Sequence, residues 1–169
     1  MQINVSQLLQ ESVGSTREYD INEEADVVGD GRKYNLVGQC QLLRLQHSIL
    51  AKCSLDTVVE LSCGRCLGQF RHPVKIKFEE EFAPTVDVTS GAPLPEQEEA
   101  GTFTIDEHHI LDLTEAVRQY LVIGLPIKAL CDEDCAGLCP SCGNDLNKGP
   151  CDCPPCEIDA RWSELSKLR

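Results

Sequence analysis

Residues 49–66, which read ILAKCSLDTVVELSCGRC, carry the clearest strand pattern in the chain. Small or apolar side chains occupy most of its odd positions from Ile49 to Cys63, and polar side chains occupy most of the even ones. Successive side chains of a β-strand point to opposite faces, so this period of two predicts one long strand, or two with a bend. The strand ends at a Cys-x-x-Cys turn, and its sheet should have one buried and one solvated face.

The residues after this turn repeat the alternation. Apolar side chains from Phe70 to Phe82 share one parity and charged ones share the other, which predicts a second strand that forms a hairpin with the first around residues 63–68. An earlier strand is predicted over residues 34–45. We therefore expect a mostly antiparallel β-sheet.

The second half of the chain predicts one helix and a separate tail. Asp112 to Glu115 form a capping-box pattern, and apolar residues at helical spacing follow, so an amphipathic helix over residues 112–124 should pack on the sheet. Residues 83–107 combine Pro and Gly with acids and should form an acidic loop. The prediction is an α+β fold with a β-rich core domain over residues 1–127 and a Cys-rich, zinc-binding tail with a short terminal helix over residues 128–169.

Composition limits the classes of function. The 169 residues carry a formal net charge of −13, which argues against general binding of nucleic-acid phosphates by the whole surface. The longest apolar run, residues 121–127, is too short to span a bilayer, so no membrane association is expected. The opening residues lack the regions of a signal peptide, which favours a cytoplasmic location. Eleven cysteines in a reducing compartment are typical of metal binding.

The strongest cysteine motif is CPSCG at residues 139–143. A tight turn of this form brings two thiolates to one tetrahedral Zn²⁺, which needs two further ligands. The predicted site, in which zinc is favoured over an iron–sulfur cluster, uses the four nearest thiols, Cys131, Cys135, Cys139 and Cys142. The alternates for the second pair are Cys151 and Cys153.

A second Cys-x-x-Cys sequence, Cys63 to Cys66, has three interpretations: half of a second metal site, a redox pair, or a turn with two incidental thiols. Strands are predicted on both sides of it, whereas a redox pair favours a helix N-terminus, so catalysis is the weakest of the three. Cys40 and Cys53 are predicted to be small core residues.

The sequence predicts no enzyme and no small-molecule substrate. It lacks a phosphate-binding glycine loop and the common hydrolase and metalloprotease motifs. Between residues 62 and 78 it has a run of cations without an acid, which is a candidate contact for RNA, although a solvated strand face would look the same. The four cations are Arg65, Arg71, Lys75 and Lys77.

Three motifs in this order carry a resemblance to a known family: CGRCL at residues 63–67, CDEDCAGLCPSCGNDLN at residues 131–147, and DARW at residues 159–162. Together they resemble the bacterial YceD family, the large ribosomal RNA subunit accumulation proteins. The resemblance implies a non-enzymatic ribosome-assembly factor that binds ribosomal RNA or a basic ribosomal protein of the large-subunit precursor. The alternative is a zinc-ribbon regulator that binds nucleic acid. For a basic protein partner, the acidic residues 79–107 are the candidate contact.

Overall fold

The computed structural model describes residues 1–94 and 103–154. Seven strands, two α-helices and one 3-10 turn make up these residues. In chain order they are β1 (Gln2–Asn4), α1 (Ser6–Gln10), β2 (Thr16–Ala25), β3 (Tyr34–Arg44), β4 (Ile49–Ser62), β5 (Gln69–Pro84), β6 (Phe103–Ile105), β7 (Ile110–Asp112), α2 (Thr114–Gly124) and the turn Leu146–Lys148.

The strands form one sheet in the order β1-β7-β6-β5-β4-β3-β2. The pairs β1–β7, β2–β3, β3–β4 and β6–β7 are antiparallel, whereas β5 and β6 run parallel. The amino group of Met1, next to β1, lies 3.8 Å from the Glu23 carboxylate on β2. Because β1 and β2 are the two ends of the strand order, this contact shows that the sheet curls enough to bring its two edges near each other.

The predicted strands over residues 34–45, 49–63 and 70–82 correspond closely to β3, β4 and β5, and β4 and β5 are neighbours in the sheet. The packed helix is α2, which begins two residues later than predicted. The predicted capping box does not form: the N-cap residue is Leu113, which makes no side-chain cap hydrogen bond, and the Glu115 carboxylate accepts from Arg118. The Asp112 carboxylate, one residue earlier, accepts a 2.8 Å hydrogen bond from the N–H of Thr114.

The segment predicted as an acidic loop, residues 83–107, is partly strand. β5 continues to Pro84, and β6 occupies Phe103–Ile105 beside it. The predicted terminal helix lies outside the described residues. No helix in the described part of the chain has the length and apolar character needed to cross a membrane.

The first of two compact units comprises Met1–Val59 and the described residues from Arg71 to Pro126. Alternate side chains of β3, β4 and β5 are buried there together with the apolar side of α2. Phe78 on β5 stacks on Tyr120 of α2, with ring centroids 5.1 Å apart. These contacts pack the helix on one face of the sheet.

Two positions show how closely β3 and β4 approach. Gly38 pairs with Leu55, and a Cβ added at Gly38 would lie 2.1 Å from the backbone oxygen of Ser54. Cys40 and Cys53 also face each other across these strands and form a disulfide. They are buried, as predicted for core residues, but they are bonded rather than separate thiols.

The second unit comprises Glu60–Phe70 and the described residues from Ile127 onward. The structure therefore groups the first Cys-x-x-Cys turn with the C-terminal cysteines, whereas the predicted boundary between residues 127 and 128 assigned it to the core domain. Among the described residues of this unit, the buried apolar side chains are three cysteines, Cys63, Cys135 and Cys139. Apolar burial alone gives this unit almost no core.

Candidate metal centres

The turn after β4 holds Cys63 and Cys66 in a fixed arrangement. The Cys63 carbonyl accepts a 2.9 Å hydrogen bond from the N–H of Leu67, and the Cys63 N–H donates to the carbonyl of Gly68 at 2.9 Å. Leu67 adopts a φ of 58°, in the left-handed region that favours glycine. The turn thus folds back tightly enough to bring both thiols to one side.

The turn at Cys139 repeats this geometry. Its carbonyl accepts from the N–H of Gly143 at 2.8 Å, and its N–H donates to the carbonyl of Asn144 at 2.8 Å. Gly143 has a φ of 74° and stands at the position that corresponds to Leu67. The chain therefore contains the same metal-binding type of turn twice, once after β4 and once in the C-terminal region.

Each turn meets two further cysteines. In the first cluster, the sulfur atoms lie within 4.8 Å of one another, with 3.8 Å between Cys63 Sγ and Cys135 Sγ and 3.7 Å between Cys66 Sγ and Cys131 Sγ. A tetrahedron with Zn–S bonds of about 2.3 Å has S···S edges of about 3.8 Å. The four thiols of the first cluster, Cys63, Cys66, Cys131 and Cys135, therefore fit one tetrahedral ion.

In the second cluster the four sulfur atoms also lie within 4.8 Å of one another. Cys139 is buried, Cys142 is exposed, and the other two are partly exposed. This cluster, which could likewise hold a metal ion, consists of Cys139, Cys142, Cys151 and Cys153.

This grouping differs from the one that sequence proximity favoured. The predicted single site joined Cys131 and Cys135 to Cys139 and Cys142, but the structure places these pairs in different clusters. An isolated β-bridge between Leu138 and Asp145 flanks the turn that carries Cys139 and Cys142. The thiols predicted as alternates, Cys151 and Cys153, complete the second cluster, and the first Cys-x-x-Cys turn completes the first.

Backbone N–H groups favour a thiolate in each cluster. The N–H groups of Cys66, Cys131 and Arg65 lower the pKa of Cys63 to about 6, and those of Cys142 and Ser141 lower the pKa of Cys139 to about 6.

The opposite shift occurs at a second thiol of each cluster. A hydrogen bond with Cys135 raises the pKa of Cys131 to about 12, and a hydrogen bond with Cys142 raises the pKa of Cys153 to about 12. Several thiolates in one place repel each other, and a bound cation would neutralise them.

Arg65, a predicted RNA contact, forms hydrogen bonds beside the first cluster. Its guanidinium donates to the carbonyl oxygens of Glu133 at 3.0 Å and Cys135 at 2.9 Å. A Cβ added at Gly137 would lie 3.2 Å from the carbonyl oxygen of Arg65. Arg65 thus connects the turn after β4 to the loop that supplies the other two thiols.

The other predicted RNA contacts, Arg71, Lys75 and Lys77, are exposed on one face of β5. The amino group of Lys75 lies 3.8 Å from the carboxylate of Asp56. On the same strand, the carboxylate of Glu79 lies 3.0 Å from the amino group of Lys52. The cations therefore share the surface of β5 with acids. Among the described residues, Lys75 has a carboxylate partner, whereas Arg71 and Lys77 have none.

One contact of the first cluster had no counterpart in the expectations from sequence. The side-chain amide of Asn147 lies 3.4 Å from Cys135 Sγ and can donate a hydrogen bond to it. Asn147 ends the sequence CGNDLN at residues 142–147. That its side chain contacts Cys135 is shown only by the folded chain.

A β-sheet unit together with a unit that carries two four-cysteine clusters defines a protein able to hold two metal ions. The chain belongs to the YceD family, because the family model described as "Large ribosomal RNA subunit accumulation protein YceD" matches residues 51–169. That match includes all eight cysteines of the two clusters.

Related proteins support this assignment. A protein of Mycobacterium bovis and one of Mycobacterium tuberculosis, both called uncharacterized, are each 33% identical over 106 residues, which cover 63% of this chain and 48% of theirs. The chain thus spans about half the length of these relatives. A protein of Arabidopsis thaliana, named "Large ribosomal RNA subunit accumulation protein YCED homolog 1, chloroplastic", is 37% identical over 59 residues, which are 35% of this chain and 18% of that one. No solved structure matches the chain.

Proposed function

We propose that the chain is a non-enzymatic ribosome-assembly factor that is needed for accumulation of large-subunit ribosomal RNA and acts by binding. The observation that carries the proposal is membership of the YceD family over residues 51–169. The name of the Arabidopsis relative supports the same role.

Each cluster, in this proposal, binds one Zn²⁺ through four thiolates. The S···S distances of the first cluster support this assignment, and so does the scarcity of buried apolar side chains in the second unit. A site closed by four protein ligands has no open coordination position for substrate, so the metal would stabilise structure rather than catalyse a reaction. The eight thiols of the clusters must be reduced to bind metal, whereas Cys40 and Cys53 form a disulfide, so the cysteines do not assign a compartment.

The charge distribution supports a basic ribosomal protein as the direct partner more than ribosomal RNA. The chain has 28 acids against 15 Lys and Arg. Of the four candidate RNA contacts, Arg65 is bonded to backbone carbonyls and Lys75 lies near Asp56. Opposite charge speeds association and suppresses wrong partners, so an acidic assembly factor suits a cationic protein that has not yet reached the ribosome.

A zinc-ribbon regulator that binds nucleic acid has less support. Between residues 131 and 154 the chain has five acids and one Lys. The loops that carry the C-terminal cysteines of both clusters should therefore repel phosphates rather than attract them.

Two measurements test the proposal. Depletion of the protein in its own organism should lower large-subunit ribosomal RNA relative to small-subunit ribosomal RNA, and the wild-type gene should restore the ratio. Purified full-length protein should bind one or a few isolated large-subunit ribosomal proteins, with affinity that falls as salt rises. An unchanged ratio after depletion would contradict the role in accumulation, and tighter binding to isolated ribosomal RNA than to any of these proteins would reverse the choice of partner.

A further inference from the structure

The segment that joins the two halves of the second cluster also contacts the first cluster. Asn147 lies between Cys142 and Cys151, yet its amide nitrogen lies 3.4 Å from Cys135 Sγ. Its amide oxygen accepts a 2.8 Å hydrogen bond from the N–H of Ala136. One side chain therefore holds both a sulfur ligand of the first cluster and the backbone beside that ligand.

The same segment fixes the orientation of this side chain. The carboxylate of Asp145 accepts hydrogen bonds from the Asn147 side chain at 2.7 Å and from its backbone N–H at 3.1 Å. Leu146 N–H donates to the carbonyl of Gly137 at 2.9 Å. Asn147 is thus positioned by a loop whose two ends are the cysteine pairs of the second cluster.

We propose that Asn147 is a positioning residue that couples the two metal sites. This inference rests on the proposal that both clusters bind metal. An ion in the second cluster fixes both ends of the loop and so holds the Asn147 amide against Cys135. An N–H donor to a metal-bound thiolate stabilises its negative charge, and loss of such an outer contact typically lowers metal affinity about tenfold to hundredfold. Because coupling between binding sites is reciprocal, filling the first site should also tighten the second.

The test uses full-length protein loaded with Cd²⁺ and followed by ¹¹³Cd NMR, which gives a separate resonance for each site. The variant C151S/C153S identifies the resonance of the first site, and chelator competition then measures the affinity of each site. Wild-type protein should bind two ions, and the first site should bind more weakly in C151S/C153S than in wild type.

The decisive variant is Asn147→Asp, which keeps an oxygen acceptor for Ala136 but removes the amide donor shared by Cys135 Sγ and the Asp145 carboxylate. It should weaken the first site about tenfold to hundredfold and shift its resonance. Asn144→Asp makes the same amide-to-carboxylate change in the same loop and should leave affinity and resonance unchanged. Within the described residues, Asn144 contributes only its backbone carbonyl to hydrogen bonding. The effect of Asn147→Asp should be much smaller in the C151S/C153S background, because the loop is no longer fixed there.

Three results would overturn the inference. Equal affinities of the first site in the two Asp variants would remove any role for Asn147. An effect of Asn147→Asp that is the same with and without the second site would make its role local and exclude coupling. Wild-type protein that binds fewer than two ions would contradict both this inference and the metal sites of the proposed function, whereas the first two results would leave those sites intact.

Discussion

The pairing of the eight cysteines can be tested by replacing one pair from each cluster. Purified wild-type protein should contain two zinc ions. C63S/C66S should lose the ion of the first cluster and keep the other, C151S/C153S should do the reverse, and the combination should contain none. The single site predicted from sequence proximity uses neither pair, so in that case both double variants would keep their zinc.

The expected loss of stability follows from how little else holds the second unit together. Its buried apolar side chains among the described residues are three cysteines, each of which contributes about 1 kcal/mol on an area basis. Structural zinc binds finger peptides with roughly 10–16 kcal/mol. At free zinc of about 1,000 times Kd, each site adds about 4.1 kcal/mol to the free energy of unfolding. Binding of either ion therefore contributes more to the free energy of unfolding than burial of the three cysteine side chains together.

The assay combines metal analysis with hydrogen exchange. In C63S/C66S, amides of residues 60–70 and 131–137 should exchange faster, while those of β3, which lies in the first unit, should keep their protection. C40S/C53S is a control for replacement of a cysteine pair outside both clusters: it removes the Cys40–Cys53 disulfide but no thiol of either cluster. It should retain two ions. Two ions in C63S/C66S, or a loss of zinc in C40S/C53S equal to that in C63S/C66S, would refute the assignment.

Three further predictions concern single features of the chain. Charge reversal at Arg71 and Lys77 should leave binding to isolated large-subunit ribosomal proteins unweakened in a pull-down assay, and weakened binding would indicate that the partner contacts β5. Gly38→Ala should lower the free energy of unfolding in urea by roughly 1–3 kcal/mol, because its Cβ would overlap the Ser54 carbonyl; an unchanged urea midpoint would contradict the close approach of β3 and β4 at this position. Gly137→Ala should reduce zinc affinity in a chelator titration more than Gly143→Ala does. Both glycines have a positive φ, but only a Cβ at residue 137 would also contact Arg65. Equal losses of affinity would show that the contact with Arg65 does not affect zinc binding.

The strands that were predictable from sequence are those with long alternation. β4 and β5 contain 14 and 16 residues, so the period of two is repeated many times. β2 has ten residues but only one buried side chain, Ile21, because it lies at the end of the strand order. β1, β6 and β7 have three residues each, which is too short to show any period.

The identity of the candidate metal ligands was predictable, but their grouping was not. Four of the eight cysteines stand in Cys-x-x-Cys turns, which form locally, and the other four follow at short spacing as Cys131-x3-Cys135 and Cys151-x-Cys153. Their grouping depends on which turn meets which loop in the folded chain. Cys63 and Cys135 are 72 residues apart in sequence and 3.8 Å apart in space, and no local pattern contains that information.

The two clusters also restrict how the protein can act. If each cluster binds one ion through its four thiolates, as we propose, no coordination position would be left for a substrate. Arg65, beside the first cluster, is bonded to two carbonyl oxygens, so its guanidinium is already used at this turn. Recognition by an acidic chain is then expected to depend on its carboxylates. Binding to a basic ribosomal protein should accordingly weaken with salt, whereas a salt-independent affinity would shift attention to exposed apolar side chains such as Leu67, which is 66% exposed.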